Sequence, residues 1–415
     1  MGSSIVGDSR GKFGALVLLP AVLSWLIWRL ASFQPEFDLE KQILPLVSSY
    51  AGAENATEIS QNKILRGRHV VVTGAYSGIG LGITDVFIRM GATVTAIGRS
   101  RAKLDGLQQT YGPRIITVVA DLADLDQVGE AAEQILNLTE IIDIFVANAG
   151  IHYYGRGTAG ETPQGFDSCF GFNYLSHALL IEKIIPALER SSHPVVASIS
   201  SVMHWVVDGK DLAAPTEPGT RNSVQGEQYI VKTKDPVASR PTKTGDLHFW
   251  LGQWSYANSK LAQILFSKAA ARRHQKVRFV SVCPGWVLTS ISKGNLFHYA
   301  VQIVAFRYNG WGISSALRAV FDFTNENDYF INSEVSDTFM RVMFQENLAP
   351  LVLPSNHRFL RFIGEFVSTG LGTAVAVFQK LTPKVRGAES SLVSMNETLQ
   401  EELYGWTMNT LSGWL

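Results

Sequence analysis

The sequence predicts an α/β fold in which helices cover both faces of a doubly wound parallel sheet. From Arg68 onward, short apolar runs rich in β-branched residues alternate with segments whose apolar residues recur at helical spacing. The runs are apolar throughout, which is typical of strands buried on both faces. Ligands of such sheets bind beyond the carboxyl ends of the strands. We therefore expect the functional site at that edge.

Each element is assigned from its residue pattern. The predicted strands are His69–Thr73, Thr93–Gly98, Ile115–Ala120, Ile142–Ala147, Val195–Ser200, Val277–Cys283 and Tyr329–Asn332. The predicted helices are Gly78–Met90, Arg101–Tyr111, Leu125–Leu138, Phe166–Leu188 and Tyr256–Arg273. Together these elements predict one sheet domain over residues 66–335.

Composition narrows the class of protein. Lys and Arg together number 36, as do Asp and Glu, so no excess charge favours a nucleic-acid partner. Charged residues make up 17% of the chain, below the roughly 25% of typical soluble domains, which indicates an apolar segment outside an ordinary core. Cys169 and Cys283 lack the spacing of a metal or redox site. We expect them to be buried, reduced thiols and predict no metal.

The apolar segment is a run over residues 13–28, preceded by Arg10 and Lys12. It is slightly shorter than the ~20 residues of an ordinary membrane-spanning helix, but Trp25 and Trp28 suit the membrane interface. A cleaved signal peptide is the alternative, although no small-x-small cleavage site follows the run. We therefore predict an N-terminal membrane anchor.

The chain then divides into five regions. They are an anchor over residues 1–31, a linker over 32–65, the sheet domain over 66–335, an insertion within it over 208–252, and a helical C-terminal extension over 336–415. The insertion is rich in Pro, Gly, Lys and Thr and lacks periodicity, which predicts a surface loop. Residues 336–390 carry an apolar pattern interrupted by arginines. That pattern fits core packing, a pocket cover, a dimer face or a membrane-surface helix.

A glycine-containing turn follows the first strand. It consists of Thr73, Gly74, Ala75, Tyr76, Ser77, Gly78, Ile79 and Gly80 and leads directly into the first helix of the sheet domain. A strand, a glycine turn and a helix N-terminus in this order present backbone N–H groups to a phosphate. Glycine is needed because a Cβ would obstruct the turn and the approach of a pyrophosphate. The turn therefore predicts a dinucleotide site.

A second motif pairs a phenol with an amine. Tyr256 and Lys260 are four residues apart, which places them on one face of a helix. A phenol has a pKa near ~10, and a neighbouring ammonium group lowers it by favouring the phenolate. Such a pair can exchange a proton with a substrate oxygen.

These motifs resemble those of the short-chain dehydrogenase/reductase family, over roughly Arg68 to Asn332. Further matching stretches are Asn148-Ala149-Gly150, Phe172-Asn173-Tyr174-Leu175, Ser200-Ser201, and Pro284-Gly285 with Thr289. The serine pair is followed by Val202-Met203-His204-Trp205, which is similar to the pattern in retinol-dehydrogenase-like members. The long insertion before Tyr256 departs from the family. His204 could line the pocket or be structural.

The resemblance implies a Rossmann fold and hydride transfer between a nicotinamide and a carbonyl or alcohol carbon. It implies that Tyr256 exchanges the proton and that Lys260 lowers its pKa and binds the nicotinamide ribose. Ser201 would orient the substrate oxygen, with Ser200 as a competitor, and Asn173 would hold a water in the proton relay. The implied cofactor contacts beyond the glycine turn are Asn148, Gly150, Tyr256, Lys260, Pro284, Gly285 and Thr289.

The residues after the second strand indicate which cofactor is bound. NAD selection uses a carboxylate there, whereas a 2′-phosphate is matched by Arg. The chain has Arg99 at this place and no carboxylate before Asp105, so we expect NADP(H). Asp121, after the third strand, matches the adenine contact of the family.

The sequence therefore predicts a membrane-anchored NADP(H)-dependent oxidoreductase for a small lipophilic carbonyl or alcohol, such as a retinoid, a steroid or a fatty carbonyl. A ketoreductase of a secondary-metabolite pathway is an alternative, and a non-catalytic NADP-binding scaffold is an alternative of another class. We expect a single-pass protein of the endoplasmic reticulum whose catalytic domain faces the cytosol and which could form a homodimer.

Overall fold

The computed structural model describes most of the sheet domain and the C-terminal end of the chain. The described residues are 43–51, 64–152, 161–207, 209, 212, 245–285, 287, 309–323, 329–332, 385–388 and 390–415. Within these ranges no helix combines the length and the apolar character needed to cross a membrane. The anchor expected in residues 1–31, most of the insertion and most of residues 336–390 lie outside the described residues, as does Thr289.

Eight strands form one sheet. They are β1 (His69–Thr73), β2 (Thr93–Gly98), β3 (Ile115–Val119), β4 (Ile144–Ala147), β5 (Val195–Ile199), β6 (Arg278–Cys283), β7 (Tyr329–Asn332) and β8 (Val385–Gly387). Their order is β3-β2-β1-β4-β5-β6-β7-β8, and β8 pairs antiparallel with β7 while the other seven strands are parallel. The order reverses between β1 and β4, and sheets of this kind bind their ligands beyond the carboxyl ends of the strands at that point.

Helices cover both faces of the sheet, as predicted. They are α1 (Leu44–Ala51), α2 (Gly78–Arg89), α3 (Arg101–Tyr111), α4 (Leu125–Leu138), α5 (Ser176–Leu188), α6 (Gly245–Arg273), α7 (Asn309–Phe321) and α8 (Glu397–Leu411). Residues of α1, α2, α3 and α7 share one apolar cluster, and residues of α4, α5, α6 and α8 share the other. Within β1, Val70 and Val72 belong to the first cluster and Val71 to the second, because successive side chains of a strand alternate between faces.

Two predicted helices differ from the observed ones. Helix α6 begins at Gly245 rather than at Tyr256, so the last part of the expected insertion is helical. In the sequence, Gly252 indicates the end of a loop rather than the interior of a helix. A helix nevertheless tolerates an interior glycine, at a cost in stability of about 1 kcal/mol relative to alanine. The predicted helix Phe166–Leu188 consists of a helical turn at Ser168–Phe170, a π-helical turn at Gly171–Leu175 and then α5.

Elements outside the predicted domain complete the fold. The expected linker contains α1, whose Val47 is buried in the cluster that includes α7. The C-terminal extension is not only helical, because it supplies β8, and α8 is packed into the second cluster. Short segments with few local signals are specified by such long-range packing, which sequence periodicity does not reveal. Both cysteines are buried and outside any disulfide, as predicted.

Candidate active site

The glycine turn after β1 has the shape of a phosphate cradle. Gly74 and Gly78 have φ values of 66° and 55°, in the left-handed region that favours glycine. A Cβ on Gly80 would overlap the backbone oxygen of Gly74 and the side-chain amide of Asn148. Ser77 precedes α2 with an extended backbone and makes no side-chain capping bond. The first N–H groups of this 12-residue helix are thus left for an anion, so the residues fit a dinucleotide pyrophosphate.

The ends of β1 and β4 are joined by the side chains of Thr73 and Asn148. Thr73 Oγ1 accepts the backbone N–H groups of Asn148 and Ala149, each at 2.9 Å, and Asn148 Nδ2 donates to the Thr73 carbonyl at 2.9 Å. Because Thr73 Oγ1 accepts two bonds, its own proton is given to Nε2 of His177, 2.9 Å away. These bonds hold the β1 turn against the segment that ends in Gly150.

The end of β2 carries the expected adenosine side of the site. The Tyr76 ring lies against Gly98, where a Cβ would overlap it, and the Lys103 ammonium is 5.2 Å from the centre of that ring. Arg99 follows the strand with an exposed side chain. Asp121, after β3, accepts the N–H of the second residue after it at 3.0 Å. The side chains of Arg99 and Lys103 therefore make the carboxyl end of β2 cationic.

Tyr256 and Lys260 occupy the middle of α6 and face the carboxyl edge of the sheet. Lys260 is 2% exposed, and its Nζ lies 5.5 Å from the centre of the Tyr256 ring. The amine donates to the Ile199 carbonyl at 2.8 Å and to Gln263 Oε1 at 3.1 Å. Burial lowers the pKa of Lys260 to about 7. The ring of His152 meets the Tyr256 ring edge-on, with 4.3 Å between their centres.

Asn173 is fully buried in the π-helical turn and is bonded on every side. Its Oδ1 accepts the Ile151 N–H at 2.8 Å, and its Nδ2 donates to the Ile151 carbonyl at 3.1 Å and to Ser259 Oγ at 3.0 Å. Its carbonyl accepts His177 Nδ1 and Gln263 Nε2, each at 2.9 Å. This carbonyl belongs to the π-helical turn at Gly171–Leu175, a type of turn that is often found at functional sites. Asn173 is thereby connected to the helix that carries Tyr256.

The two serines after β5 have different surroundings. Ser200 is 2% exposed and donates its hydroxyl to the Lys260 carbonyl at 2.9 Å. Ser201 is partly exposed, and its Oγ accepts the Met203 N–H at 3.3 Å. The Ser200 hydroxyl is committed to the backbone. Of the two, Ser201 is therefore the serine that can orient a substrate oxygen.

His204 lies in the interior rather than in a pocket. It is completely buried; its Nδ1 donates to the Ser201 carbonyl at 2.6 Å, and its Nε2 accepts the Ser391 N–H at 3.2 Å. Burial lowers the pKa of His204 to about 4, so the ring is neutral near pH 7. These contacts fit a structural role for His204 rather than a place in the pocket lining. The two hydrogen bonds of its ring join the turn at Ser201 to the C-terminal segment at Ser391.

The remaining expected contacts lie at the same edge. Pro284 and Gly285 directly follow β6, and Gly285 has a φ of 79°. The side chain of Ile79 lies against Gly312 of α7. The carboxyl edge thus brings together the glycine turn, the Tyr–Lys pair, Asn173 through its bonds to α6, and both serines.

Sequence reasoning missed two residues of this edge, Gln263 and His177. Each is a polar side chain within an otherwise apolar helical stretch: Gln263 comes three residues after Lys260, and His177 four residues after Asn173. A polar residue on a buried helix face must find a partner. That interruption is the signal that could have identified them.

Comparison with known proteins supports the family resemblance over part of the chain. Residues 68–207 match the family model described as short chain dehydrogenase. Residues 68–207 are thus similar to the short-chain dehydrogenase family, as the motifs predict, and members of that family bind a nicotinamide cofactor.

Three relatives are similar over part of the chain. A protein of Streptomyces sp. (strain C5), named as a daunorubicin C-13 ketoreductase, is 28% identical over 256 residues, which are 61% of this chain and 75% of the relative. Retinol dehydrogenase 13 of Mus musculus is 28% identical over 241 residues, which are 56% of this chain and 62% of the relative. The WW domain-containing oxidoreductase of Gallus gallus is 28% identical over 264 residues, which are 62% of this chain and 58% of the relative. The chain thus spans less than two thirds of the latter two.

A solved structure supports the fold. The crystal structure of an uncharacterized protein from Mycobacterium paratuberculosis superposes with a TM-score of 0.52 at 20% identity, covering 84% of this chain and 94% of that one. At this identity the likeness bears on the fold alone.

Proposed function

We propose that the chain is an NADP(H)-dependent oxidoreductase that interconverts a lipophilic carbonyl compound and its alcohol. One observation carries the proposal. The buried Lys260 amine lies 5.5 Å from the Tyr256 ring centre. The helix that carries both residues is connected by buried hydrogen bonds, through Asn173 and His177, to Thr73 at the start of the glycine turn. A surface pair of Tyr and Lys would be solvated and would have no such connection. When bound, the nicotinamide supplies or accepts the hydride.

In the reductive direction the substrate carbon gains a hydride and its oxygen gains the proton of the Tyr256 hydroxyl. The C=O bond becomes a CH–OH group, and the two electrons would come from the hydride of the bound dinucleotide. The Lys260 ammonium favours the resulting phenolate and so lowers the pKa of Tyr256. Ser201 orients the substrate oxygen, and Asn173 fixes the segment that faces α6. In the oxidative direction the phenolate accepts the alcohol proton.

The test of the reaction is Tyr256→Phe. We expect turnover to fall by about 10²–10⁴-fold, the usual contribution of a general acid or base, with NADPH affinity nearly unchanged because the ring remains. The assay follows NADPH oxidation with retinals, ketosteroids, quinones and aromatic polyketide ketones. Near-normal turnover of Tyr256→Phe would remove the assignment. Tight NADPH binding with no turnover of any carbonyl would favour the scaffold.

The cofactor preference is proposed from the cationic end of β2. Arg99 can bind a 2′-phosphate through its planar fork, and a hydrogen bond to a charged group contributes about 1.5–3 kcal/mol. Arg99→Glu should therefore lower kcat/KM for NADPH about 10- to 100-fold, with little loss for NADH. Lys276→Glu, the same charge change at an exposed residue just before β6, is the matched control. A preference for NADH in the wild-type chain would overturn this part.

The proposal of a lipophilic substrate is based on two observations. Residues 13–28 form an apolar run that would hold the site near a bilayer, and one relative is named retinol dehydrogenase 13. The relative named as a daunorubicin C-13 ketoreductase supports the second candidate, a ketone of secondary metabolism. Relative kcat/KM values for retinal and for a polyketide ketone distinguish the two.

We propose that the chain is held at the endoplasmic reticulum membrane by residues 13–28, with the described domain facing the cytosol. Asn55 and Asn396 belong to N-x-Ser/Thr sequons, and Asn396 is exposed at the start of α8. A sequon in the lumen would receive a glycan. Glycosylation of Asn396 in cells would show that the described domain faces the lumen and would contradict the proposed orientation. Release of the intact chain from membranes by alkaline carbonate would exclude the anchor.

A further inference from the structure

Gln263 is an amide enclosed in the apolar interior. It is 3% exposed, and the residues around it on α6, such as Leu261 and Ile264, are buried apolar side chains. An unpaired amide in such a place would cost about 1–3 kcal/mol. Both ends of this amide are paired: Nε2 donates to the Asn173 carbonyl at 2.9 Å, and Oε1 accepts from Lys260 Nζ at 3.1 Å.

The contacts fix which way this amide points. The Asn173 carbonyl is only an acceptor, so a flipped amide would place its oxygen against that carbonyl oxygen, and its NH2 group against the donors of the Lys260 ammonium. Gln263 must therefore present its oxygen to Lys260. Such a contact favours the charged form of the amine, since an ammonium group binds an oxygen more strongly than a neutral amine does.

The Asn173 carbonyl is fully used by its two partners. A carbonyl oxygen has two lone pairs, and here one receives Gln263 Nε2 and the other His177 Nδ1. The proton on Nδ1 is required because His177 Nε2 accepts the Thr73 hydroxyl. Burial lowers the pKa of His177 to about 4, so the ring carries no second proton near pH 7. The water that the sequence led us to expect at Asn173 would have no place on this carbonyl.

We propose that Gln263 is a positioning residue that holds the Lys260 amine beneath Tyr256 and replaces a relay water between that amine and the Asn173 carbonyl. The inference rests on the proposed oxidoreductase function. An amide accepts and donates hydrogen bonds but does not pass a proton along as a water molecule does. Tyr256, which is partly exposed, therefore recovers its proton from solvent rather than through Asn173.

Four other titratable groups face Lys260. They are Tyr256 on the same helix, Cys169 on the turn before Asn173, Cys283 at the end of β6 and His177 on α5. Burial raises the pKa of the Cys283 thiol, and His177 is neutral above about pH 4. A change in the pKa of Lys260 can thus be followed near neutral pH.

The first variant is Gln263→Leu, which keeps the volume and removes the acceptor. We expect the pKa of Lys260 to fall from about 7 to about 6 or lower. It is measured on the cofactor-free chain by NMR of lysines labelled at Cε, with the Lys260 signal assigned from Lys260→Met. The alkaline limb of kcat/KM for carbonyl reduction should move by the same amount, giving about a tenfold loss at pH 8.

Gln400→Leu is a matched control. Gln400 is 2% exposed, accepts from Arg272 at 2.7 Å and donates to the Ser394 carbonyl at 2.7 Å. It is thus another buried amide between a cation and a carbonyl, but it lies on α8. Its loss should lower stability and leave the Lys260 titration and the pH profile unchanged. If Gln263→Leu behaves in the same way, Gln263 is merely structural and the proposal is overturned.

Gln263→Ala provides a second test should the Leu variant fail to fold. It opens space for a water, and we expect its crystal structure to show one within hydrogen-bonding distance of both Lys260 Nζ and the Asn173 carbonyl. A structure in which neither atom gains a water and Nζ keeps only Ile199 would overturn the proposal. The two failures are distinguishable: an active Tyr256→Phe defeats the proposed function, whereas an unmoved Lys260 titration defeats only this inference.

Discussion

Replacing Lys260 with methionine tests whether the amine is as strongly desolvated as its burial indicates. The folded chain holds this amine with a pKa of about 7, against 10.5 for an exposed lysine. Between these two values the folded state binds fewer protons than the unfolded state, so the free energy of unfolding rises with pH. Below pH 7 both states are protonated, so the cost of burying the ammonium is constant and the dependence of stability on pH is absent. Lys260→Met removes the dependence altogether.

The magnitude follows from the same two pKa values. Between pH 6 and pH 9 the wild-type chain should gain roughly 2–3 kcal/mol of stability relative to Lys260→Met. Methionine also leaves the Ile199 carbonyl and Gln263 Oε1 without their donor, at a cost on the order of 1–3 kcal/mol each. That cost is the same at every pH in this range. The slope against pH therefore isolates the effect of burying the amine.

The assay is urea unfolding of the cofactor-free chains at pH 6, 7, 8 and 9, followed by tryptophan fluorescence. Lys276→Met, which removes an exposed lysine, serves as the control for loss of a side chain of the same type. If the wild-type and Lys260→Met stabilities run parallel within about 0.5 kcal/mol over this range, the argument for a desolvated amine fails. Activity should be lost in Lys260→Met at every pH.

Two further predictions concern packing. Gly80→Ala places a methyl group against the backbone oxygen of Gly74, so we expect about 1–3 kcal/mol of destabilisation and at least tenfold weaker NADPH binding by fluorescence titration. Gly106→Ala is the control, because a Cβ there meets nothing within 4 Å. This variant should stabilise α3 by roughly 0.5–1 kcal/mol. Equal effects of the two alanines on stability and NADPH binding would contradict the assignment of the glycine turn as a phosphate cradle. Thr407→Val removes the 2.6 Å bond to the buried Tyr174 hydroxyl and should cost about 1–3 kcal/mol in urea unfolding. An unchanged midpoint would show that α8 does not depend on this bond.

Local signals were sufficient for much of the fold and for the outline of the site. The glycine turn, the β-branched strands and the four-residue spacing of Tyr256 and Lys260 are patterns within a few residues of one another. Strands β1 and β2 and helices α3 and α4 have the predicted bounds. For the same reason the family resemblance could be drawn before any coordinates.

The rest depends on contacts between distant residues. Nothing near Gln263 in the sequence indicates that its amide spans Lys260 and Asn173, since it meets the latter across 90 residues. The π-helical turn at Gly171–Leu175 and the three-residue strand β8 are likewise set by their neighbours in space. From sequence alone, the first segment is compatible with an ordinary α-helix and the second with a loop.

Residues 390–415 have a consequence for the order in which this protein can be made. Tyr174 bonds to Thr407 across 233 residues, and His204 bonds to Ser391 across 187. The ribosome completes the seven parallel strands, of which β7 is the last, well before these partners emerge. The aromatic surface that Tyr404 covers by stacking on Phe266 stays exposed to solvent until then. Nascent chains with such late closure are prone to aggregation and rely on chaperones. Synthesis of this protein should therefore depend on protection of that surface until residues 390–415 have emerged.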